Sequence, residues 1–373
     1  MSNEEEENMI KAGIVGCGNI SRTYLGNKDM FPNLKIVKCA DINQEAAAKA
    51  AEKYGIEACS VEELLADPEI DIILNLTTPG AHAEVAVAAL NAGKHIYTEK
   101  PLAVNMEEAD KIMALAAEKN LRVGCAPDTF LGGGQQTCRS IIDSGIVGKI
   151  SGGTAFMLSA GHERWHPAPA FYYKKGAGPL FDMGPYYITS LVNLLGPVKC
   201  VSALSNRSTD CRIGTMVNHG KKFDVEVDTH VNALLHFECG AIINLVMSFD
   251  VSVKSPDMSC IELWGAQGGL RVPDPNTFGG EVKFGKAGLT MGWANAANTY
   301  IYNDNTRIIG LADMALAIEE NRPHRASGEL AYHVLDVMCS IIRSAENREY
   351  VEIKSTCSRP EPLAKGLHSG EIR

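Results

Sequence analysis

Short, largely apolar segments at 12–17, 34–40, 71–77, 95–98 and 122–126 punctuate the first third of the chain. Segments this short and mostly apolar predict strands buried on both faces, as in a parallel sheet. The stretches between them, at 19–30, 44–54, 81–91 and 106–119, predict helices; 44–54 is rich in Ala, the strongest helix former. Gly93 stands where the third of these helices would stop. Strand and helix in alternation, with short joints, predict an open parallel sheet covered by helices on both faces.

After about residue 130 the period changes to two. Positions 225, 227, 229, 231, 233, 235 and 237 read V, V, T, V, A, L, F, while the residues between them read E, D, H, N, L, H. Ile243, Leu245, Met247, Phe249 and Val251 repeat the pattern beyond a Cys239-Gly240 turn. This predicts a half-buried antiparallel hairpin. Further strands are expected at 150–160, 198–205 and 258–265. Helices are expected at 310–320 and 329–344, the latter with Leu330, Val334, Val337 and Ile341 on one face. The second region therefore reads as an α+β domain on a large, mostly antiparallel, open sheet. The expected division is an acidic disordered tail at 1–9, a dinucleotide-binding domain at 10–130, a substrate and oligomerisation domain at 131–356 and a polar tail at 357–373. The last helix is expected to pack back on the first domain.

Length agrees, since 373 residues exceed the roughly 250–300 at which one core stops growing. Charge narrows the partners. With 35 Lys+Arg against 45 Asp+Glu the net charge is −10, and no basic cluster offers itself to nucleic acid or an anionic membrane. No uncharged apolar stretch reaches the roughly 18 residues of a membrane span. The acidic start lacks the features of a secretory signal, and the 11 Cys show no CxxC spacing. A reduced cytoplasm is expected, with most cysteines as small buried residues. Glycine is in excess, at 35 residues, and Gly132–Gly134 find no role.

The candidate chemistry begins at Gly16-Cys17-Gly18-Asn19-Ile20-Ser21, a GxGxxS between a strand and a helix. Gly16 permits the tight turn, Gly18 lets the backbone approach a pyrophosphate, and small Ser21 allows helix to pack on strand. The phosphates would sit on amides at the helix start, around Asn19 and Ile20. Asp41 ends the next strand at about the 20-residue offset where an acidic side chain takes the ribose hydroxyls and repels a 2′-phosphate. NAD is therefore expected over NADP. Asp41 also fits a helix N-cap, and the two roles can coexist.

Thr77-Thr78-Pro79, His82 and Gly93-Lys94-His95-Ile96-Tyr97-Thr98-Glu99-Lys100-Pro101, followed by Gly176-Ala177-Gly178-Pro179-Leu180-Phe181-Asp182-Met183-Gly184-Pro185-Tyr186, closely resemble the glucose–fructose oxidoreductase / inositol dehydrogenase / rhizopine-catabolism (Gfo/Idh/MocA) family. The resemblance spans about residues 10–353 and implies a Rossmann domain followed by the α+β domain. It implies Lys100 as the catalytic lysine, presented by Pro101, often through a cis bond. It implies Asp182 as the active-site aspartate and Thr77, Thr78, Pro79, His82 and Glu99 around the cofactor. Tyr186 stands where most members carry His, and Thr189 where many carry Asp; Tyr187 competes with Tyr186. The implied roles suit the chemistry. Oxidising a secondary alcohol needs a base, and desolvation or a nearby cation makes lysine one. Asp182 and Tyr186 share a helical face, and a phenol of pKa near 10 would donate or relay. The bland alternatives are a surface lysine at Lys100 and a packed aromatic at Tyr186.

His162-Glu163-Arg164-Trp165-His166 satisfies the HExxH of zinc proteases. Gly161 and Pro167 bracket it, which makes a poor helix, so no metal is expected. The better reading is a substrate loop in which His162, Trp165, His166 and Tyr172 offer hydrogen bonds and rings to a sugar; an oligomer interface is the alternative. Asp128 fits either a substrate-hydroxyl partner or a turn residue, with Arg307 a weaker candidate of the same kind. The expected activity is NAD-dependent oxidoreduction of a secondary hydroxyl or keto group on a sugar, glycoside or cyclitol, by a homodimer or homotetramer formed through the second domain's sheet. The alternatives are NAD-assisted glycoside cleavage through a transient keto-sugar, and a non-catalytic NAD-binding regulator.

Overall fold

The structure is a computed structural model describing residues 9–215, 219–254, 258, 260–288 and 292–373; the expected acidic tail falls almost wholly outside them, and so does part of the strand expected at 258–265. The chain forms two compact units. The first comprises Met1–Leu131, Asn305–Tyr332 and Pro360–Arg373, and the second Gly132–Asp304 and His333–Arg359. The division is thus discontinuous, where the sequence suggested one boundary. The expected polar tail also departs from expectation. Arg325 donates to the carbonyls of Glu361 (2.9 Å) and Pro362 (3.3 Å), and Leu363 and Ile372 are buried. Spaced apolar residues anchor a segment whose composition is polar.

The first unit carries a six-stranded sheet in the order β3-β2-β1-β4-β5-β6, every pair parallel. Its strands are β1 (Ile10–Val15), β2 (Leu34–Ala40), β3 (Glu57–Ala58), β4 (Ile72–Asn75), β5 (His95–Thr98) and β6 (Val123–Cys125). Every residue of β4 is buried, as in a strand covered on both faces. The helices are α1 (Ser21–Gly26), α2 (Gln44–Tyr54), α3 (Val61–Ala66), α4 (His82–Asn91) and α5 (Met106–Lys119). The sequence reading passed over α3, which a Ser60/Glu63 capping box starts. It also drew α1 too long: Asn27 ends that helix and donates its side-chain amide to the carbonyls of Asn305 (2.9 Å) and Arg307 (3.0 Å). Because the strands are parallel, the segments after β1, β2, β4 and β5 all emerge at one sheet edge. The strand order turns around at β1–β4, the switch point at which such sheets bind nucleotides.

The second unit opens with α6 (Gly133–Asp143), β7 (Ile150–Leu158), α7 (Gly178–Leu195) and β8 (Val198–Asn206). β9 (Cys211–Ile213) and β10 (Lys222–Asp224) form a separate two-stranded sheet. Then come β11 (His230–Phe237), β12 (Ile242–Ser248), β13 (Ile261–Gly265), β14 (Gly268–Val272), β15 (Lys283–Lys286) and β16 (Ala294–Asn295). After α8 (Ile309–Glu319) of the first unit follow α9 (Gly328–Asn347), whose residues fall in both units, and β17 (Val351–Glu352). Nine strands order as β16-β15-β14-β13-β7-β12-β11-β8-β17, antiparallel except for β12 with β7. The inward positions of β11 and β12 are Val231, Ala233, Leu235, Ile243, Leu245 and Met247, all buried, and α7 packs on these strands. The first hairpin strand begins five residues later than the alternation predicts. The amides of Val225 and Glu226 are spent on the carbonyls of Asp210 (3.0 Å) and Tyr173 (2.8 Å) instead of on a ladder.

α6 was not foreseen, because Gly132–Gly134 and its buried Gln135, Gln136 and Arg139 hide the helical pattern. Those glycines now have a role: a side chain at Gly132 would lie 2.3 Å from the Phe278 carbonyl, and one at Gly134 2.7 Å from that of Gly279. All 11 cysteines are free thiols, but only Cys39, Cys125, Cys138 and Cys200 are buried, fewer than expected. No helix among the described residues is long and apolar enough to cross a membrane.

Candidate active site

In the first unit the glycine loop leaves β1 with Gly16 at φ +103, where its amide donates to the Ala40 carbonyl (2.8 Å). A side chain there would stand 2.7 Å from the Leu76 carbonyl, so the residue must be glycine. At Gly18 a side chain would meet nothing within 4 Å: the backbone faces open space that any side chain would fill. That opening, at the switch point of a parallel sheet, suits a pyrophosphate. Ser21 turns its hydroxyl back to the Gly18 carbonyl (2.7 Å) and stabilises the loop. Asp41 pins the same loop, with Oδ2 accepting from the Cys17 amide (2.7 Å) and Oδ1 from the Asn43 amide (2.7 Å). The N-cap role considered for Asp41 belongs to Asn43, whose side chain accepts from the amides of Glu45 and Ala46.

After β4, Asn75 accepts from the Thr77 hydroxyl (2.7 Å) and donates to the His82 carbonyl (3.1 Å), shaping the turn that carries Thr77, Thr78 and Pro79. His82 was expected near the cofactor. It is buried, with Nδ1 2.7 Å from the Pro101 carbonyl and Nε2 3.1 Å from that of Thr77. A neutral ring can donate to one of these carbonyls, and burial lowers its pKa. Its role is to tie the Thr77 loop to the Lys100 loop. Glu99 is fixed by two bonds: Oε1 accepts from the Tyr24 hydroxyl (2.9 Å) and Oε2 from the Lys100 amide (3.0 Å). Burial, then the Glu99 charge, pushes the Tyr24 phenol well above its usual pKa, so Tyr24 stays a donor. The Lys100-Pro101 bond is cis.

Asp128 departs from the substrate role considered for it. It is fully buried, and Oδ2 accepts from the amides of Ile308 and Gly310 (both 3.1 Å) at the start of α8. Burial raises its pKa against the pull of Arg307. It anchors a helix end.

In the second unit Asp182 and Tyr186 lie one turn apart on α7, as their spacing predicts. Pro185 sits between them inside the helix and leaves the Phe181 carbonyl without its usual amide donor. Tyr186 is 5% exposed. Tyr187 is buried, and its hydroxyl reaches the Phe156 carbonyl (3.3 Å), which makes it a packing residue. Asp182 Oδ2 lies 2.8 Å from Nε2 of His162, which arrives on a single 3₁₀ turn, His162–Arg164, after β7.

That turn carries the HExxH pattern and rules out its zinc-protease geometry. His166 Nδ1 accepts from the Ala168 amide (3.1 Å), and Glu163 is taken up by Arg212 (2.6 Å) and the Tyr173 hydroxyl (2.5 Å). Arg212 also pairs with Asp250, whose carboxyl, despite burial, is held below its usual range by Thr229, Ser208 and Arg212. Gly161, at φ +93, is the residue this network needs: a side chain there would lie 2.4–2.5 Å from Glu163, Tyr173 and Arg212. Around His162 stand Tyr172 (3.9 Å between centroids), Phe249 (4.6 Å) and Trp165 (5.2 Å). His166 lies 5.2 Å from both Trp165 and Tyr172, and the Trp165 and Phe171 rings are exposed. Hydrogen-bonding groups among exposed rings are what a polyol with apolar C–H faces requires. Sequence reasoning missed Tyr24, Arg212 and Asp250, whose partners lie far along the chain and leave no local signal.

Residues 10–126 match the model of an oxidoreductase family with an NAD-binding Rossmann fold, and residues 135–271 match the GFO/IDH/MocA C-terminal domain. The chain is 24% identical to a levoglucosan dehydrogenase of Pseudarthrobacter phenanthrenivorans, over 92% of this chain and 98% of that one. It is 34% identical to an inositol 2-dehydrogenase of Salmonella typhimurium, over 38% of this chain and 43% of that one. A levoglucosan dehydrogenase solved with NADH and L-sorbose shares the fold, with a TM-score of 0.80 at 22% identity over 93% of this chain and 99% of that one.

Proposed function

The chain belongs to the GFO/IDH/MocA oxidoreductase family, and on that premise we propose that it moves a hydride between NAD and a secondary hydroxyl or keto group of a sugar, glycoside or cyclitol. The observation that carries this reading is the Asp182–His162 pair among exposed aromatic rings, in a chain whose first unit is an NAD-binding Rossmann domain. NAD⁺, when bound, supplies the hydride acceptor. The glycine loop at Gly16, Gly18, Asn19 and Ile20 holds the pyrophosphate, Asp41 the ribose hydroxyls, and Thr77, Thr78, Pro79 and Glu99 the remainder. Lys100 is the general acid/base that takes the hydroxyl proton, while Asp182 and Tyr186 orient that hydroxyl. His162, Trp165, His166 and Tyr172 bind the rest of the polyol. The family reading also supports a second copy of the chain on the outward face of the nine-stranded sheet, where Leu204, Leu234, Ile242 and Trp264 are exposed.

The test is reduced-nicotinamide absorbance over a panel of levoglucosan, inositols and free sugars. NADH formation that Lys100→Ala reduces at least a thousandfold, with NAD affinity retained, is expected. Wild-type turnover in that variant would remove Lys100 from the mechanism, and a split glycoside without net NADH would favour cleavage instead.

A further inference from the structure

An ionised carboxylate can only accept, so Nε2 of His162 donates to Asp182 and Nδ1 is left as the ring's basic nitrogen. Nδ1 has no hydrogen-bond partner among the described residues. The ring is nonetheless held in place. Tyr172, Phe249 and Trp165 surround it, and its own backbone amide donates to the Tyr173 hydroxyl (3.2 Å). Tyr173 is in turn fixed by Glu163, and Glu163 by Arg212. The titratable and charged groups near the ring include Asp182 on α7, His166, Tyr172 and Tyr173 on the following turns, and the Glu163–Arg212–Asp250 network. The His162 and Asp182 side chains are 13% and 15% exposed, open to a small solute, whereas Tyr186 is 5% exposed. A phenol is also a poor proton acceptor near neutrality, where an imidazole exchanges protons readily.

We propose that His162, oriented by Asp182, is the group through which the reacting hydroxyl exchanges its proton with solvent, a part the family resemblance would give to Tyr186. The proposal rests on the oxidoreductase reading above. In the oxidative direction the O–H bond breaks, the oxygen's electron pair closes the C=O bond, and the hydride leaves the carbon for NAD⁺. The hydroxyl proton ends on Nδ1 of His162, and the imidazolium passes it to water. Each alcohol thereby loses one hydride and one proton. Reduction runs the same path backwards.

The experiment is the pH profile of kcat and kcat/KM for NADH formation in the wild type, His162→Gln, His162→Ala, Asp182→Asn and Tyr186→Phe, with NAD affinity and thermal melting measured alongside. The expected result is that His162→Gln lowers kcat about a hundredfold and removes a limb of the wild-type pH profile. Imidazole added to His162→Ala restores part of the rate. Tyr186→Phe changes KM and lowers turnover but keeps the limb. If the His162 variants do not fold, Asp182→Asn, which keeps the imidazole while altering its acceptor and the orientation of the hydroxyl, is expected to change the pH profile as well as lower kcat. A His162→Gln enzyme within threefold of wild type, or one that keeps the limb, overturns the proposal, as does loss of the limb in Tyr186→Phe. A wild type that binds NAD but forms no NADH on any polyol overturns the oxidoreductase reading and this assignment with it.

Discussion

Tyr24 donates its phenolic hydrogen to Oε1 of Glu99 across 2.9 Å, while the other carboxylate oxygen receives the Lys100 amide. A residue on the first helix thus holds the carboxylate that holds the Lys100 loop. Tyr24→Phe removes one hydrogen bond to a buried charged group, a loss of about 1.5–3 kcal/mol. The expected outcome is a roughly tenfold or greater fall in kcat, with KM for the polyol and NAD affinity little changed. Steady-state kinetics with an NAD titration checks this. A variant that loses stability but keeps wild-type kcat would make Tyr24 a packing residue only.

Stability should fall as the solution is acidified from neutrality, for a reason written in two rings. His333 Nε2 accepts the Val198 amide (2.9 Å) and its Nδ1 faces the Ser355 hydroxyl (2.9 Å); His95 Nδ1 accepts the Arg122 amide (2.9 Å). A nitrogen that accepts an amide hydrogen must be unprotonated. Burial, aided at His95 by Arg122, lowers both pKa values to about 4. In the unfolded chain the same rings titrate near pH 6.5. Their stabilisation is complete above about 6.5 and is lost as pH falls toward 4, by up to about 1.4 kcal/mol per pH unit for each ring and less for the partly exposed His95. Urea denaturation at pH 7, 6 and 5 should show the decline. His333→Gln should flatten it, and an unchanged slope in that variant would assign the acid sensitivity elsewhere.

On the outward sheet face the register places Ile242, Gly152 and Trp264 in one row, and Gly152 presents no side chain between the two large apolar ones. Trp264 is 47% and Ile242 50% exposed, which is costly surface to leave in water. The wild type is expected to sediment as a dimer or tetramer, and Trp264→Glu as a smaller species with NAD affinity unchanged. A monomeric wild type at every concentration would leave that row without the partner proposed for it.

The first unit was the more legible half. The short, largely apolar strands at 72–75 and 95–98 suit burial on both faces, and a parallel sheet is the arrangement that supplies it. Gly16 and Gly18 were legible because a backbone that must turn sharply, or approach a ligand closely, has one suitable residue. The partners of His82 and Asp128 were illegible for one underlying reason. Each lies next to a recognisable motif, but whether a polar side chain faces a ligand or its own backbone depends on which carbonyl or amide folding brings beside it. For His82 these are the carbonyls of Pro101 and Thr77; for Asp128 they are the amides of Ile308 and Gly310, some 180 residues away.

What the sequence determined by itself follows from local rules. These are the alternation that yields a parallel sheet and then a largely antiparallel one, the loop only glycine can make, and the helical spacing of Asp182 and Tyr186. What the tertiary structure alone decided is which groups those elements hold together. HExxH read in isolation is a metal motif or a sugar loop. In the fold, Gly161 admits Arg212, Arg212 occupies Glu163, and His162 is left to turn toward Asp182. Partnerships of that kind join residues far apart in sequence through distances of a few ångströms, and no local pattern along the chain records them.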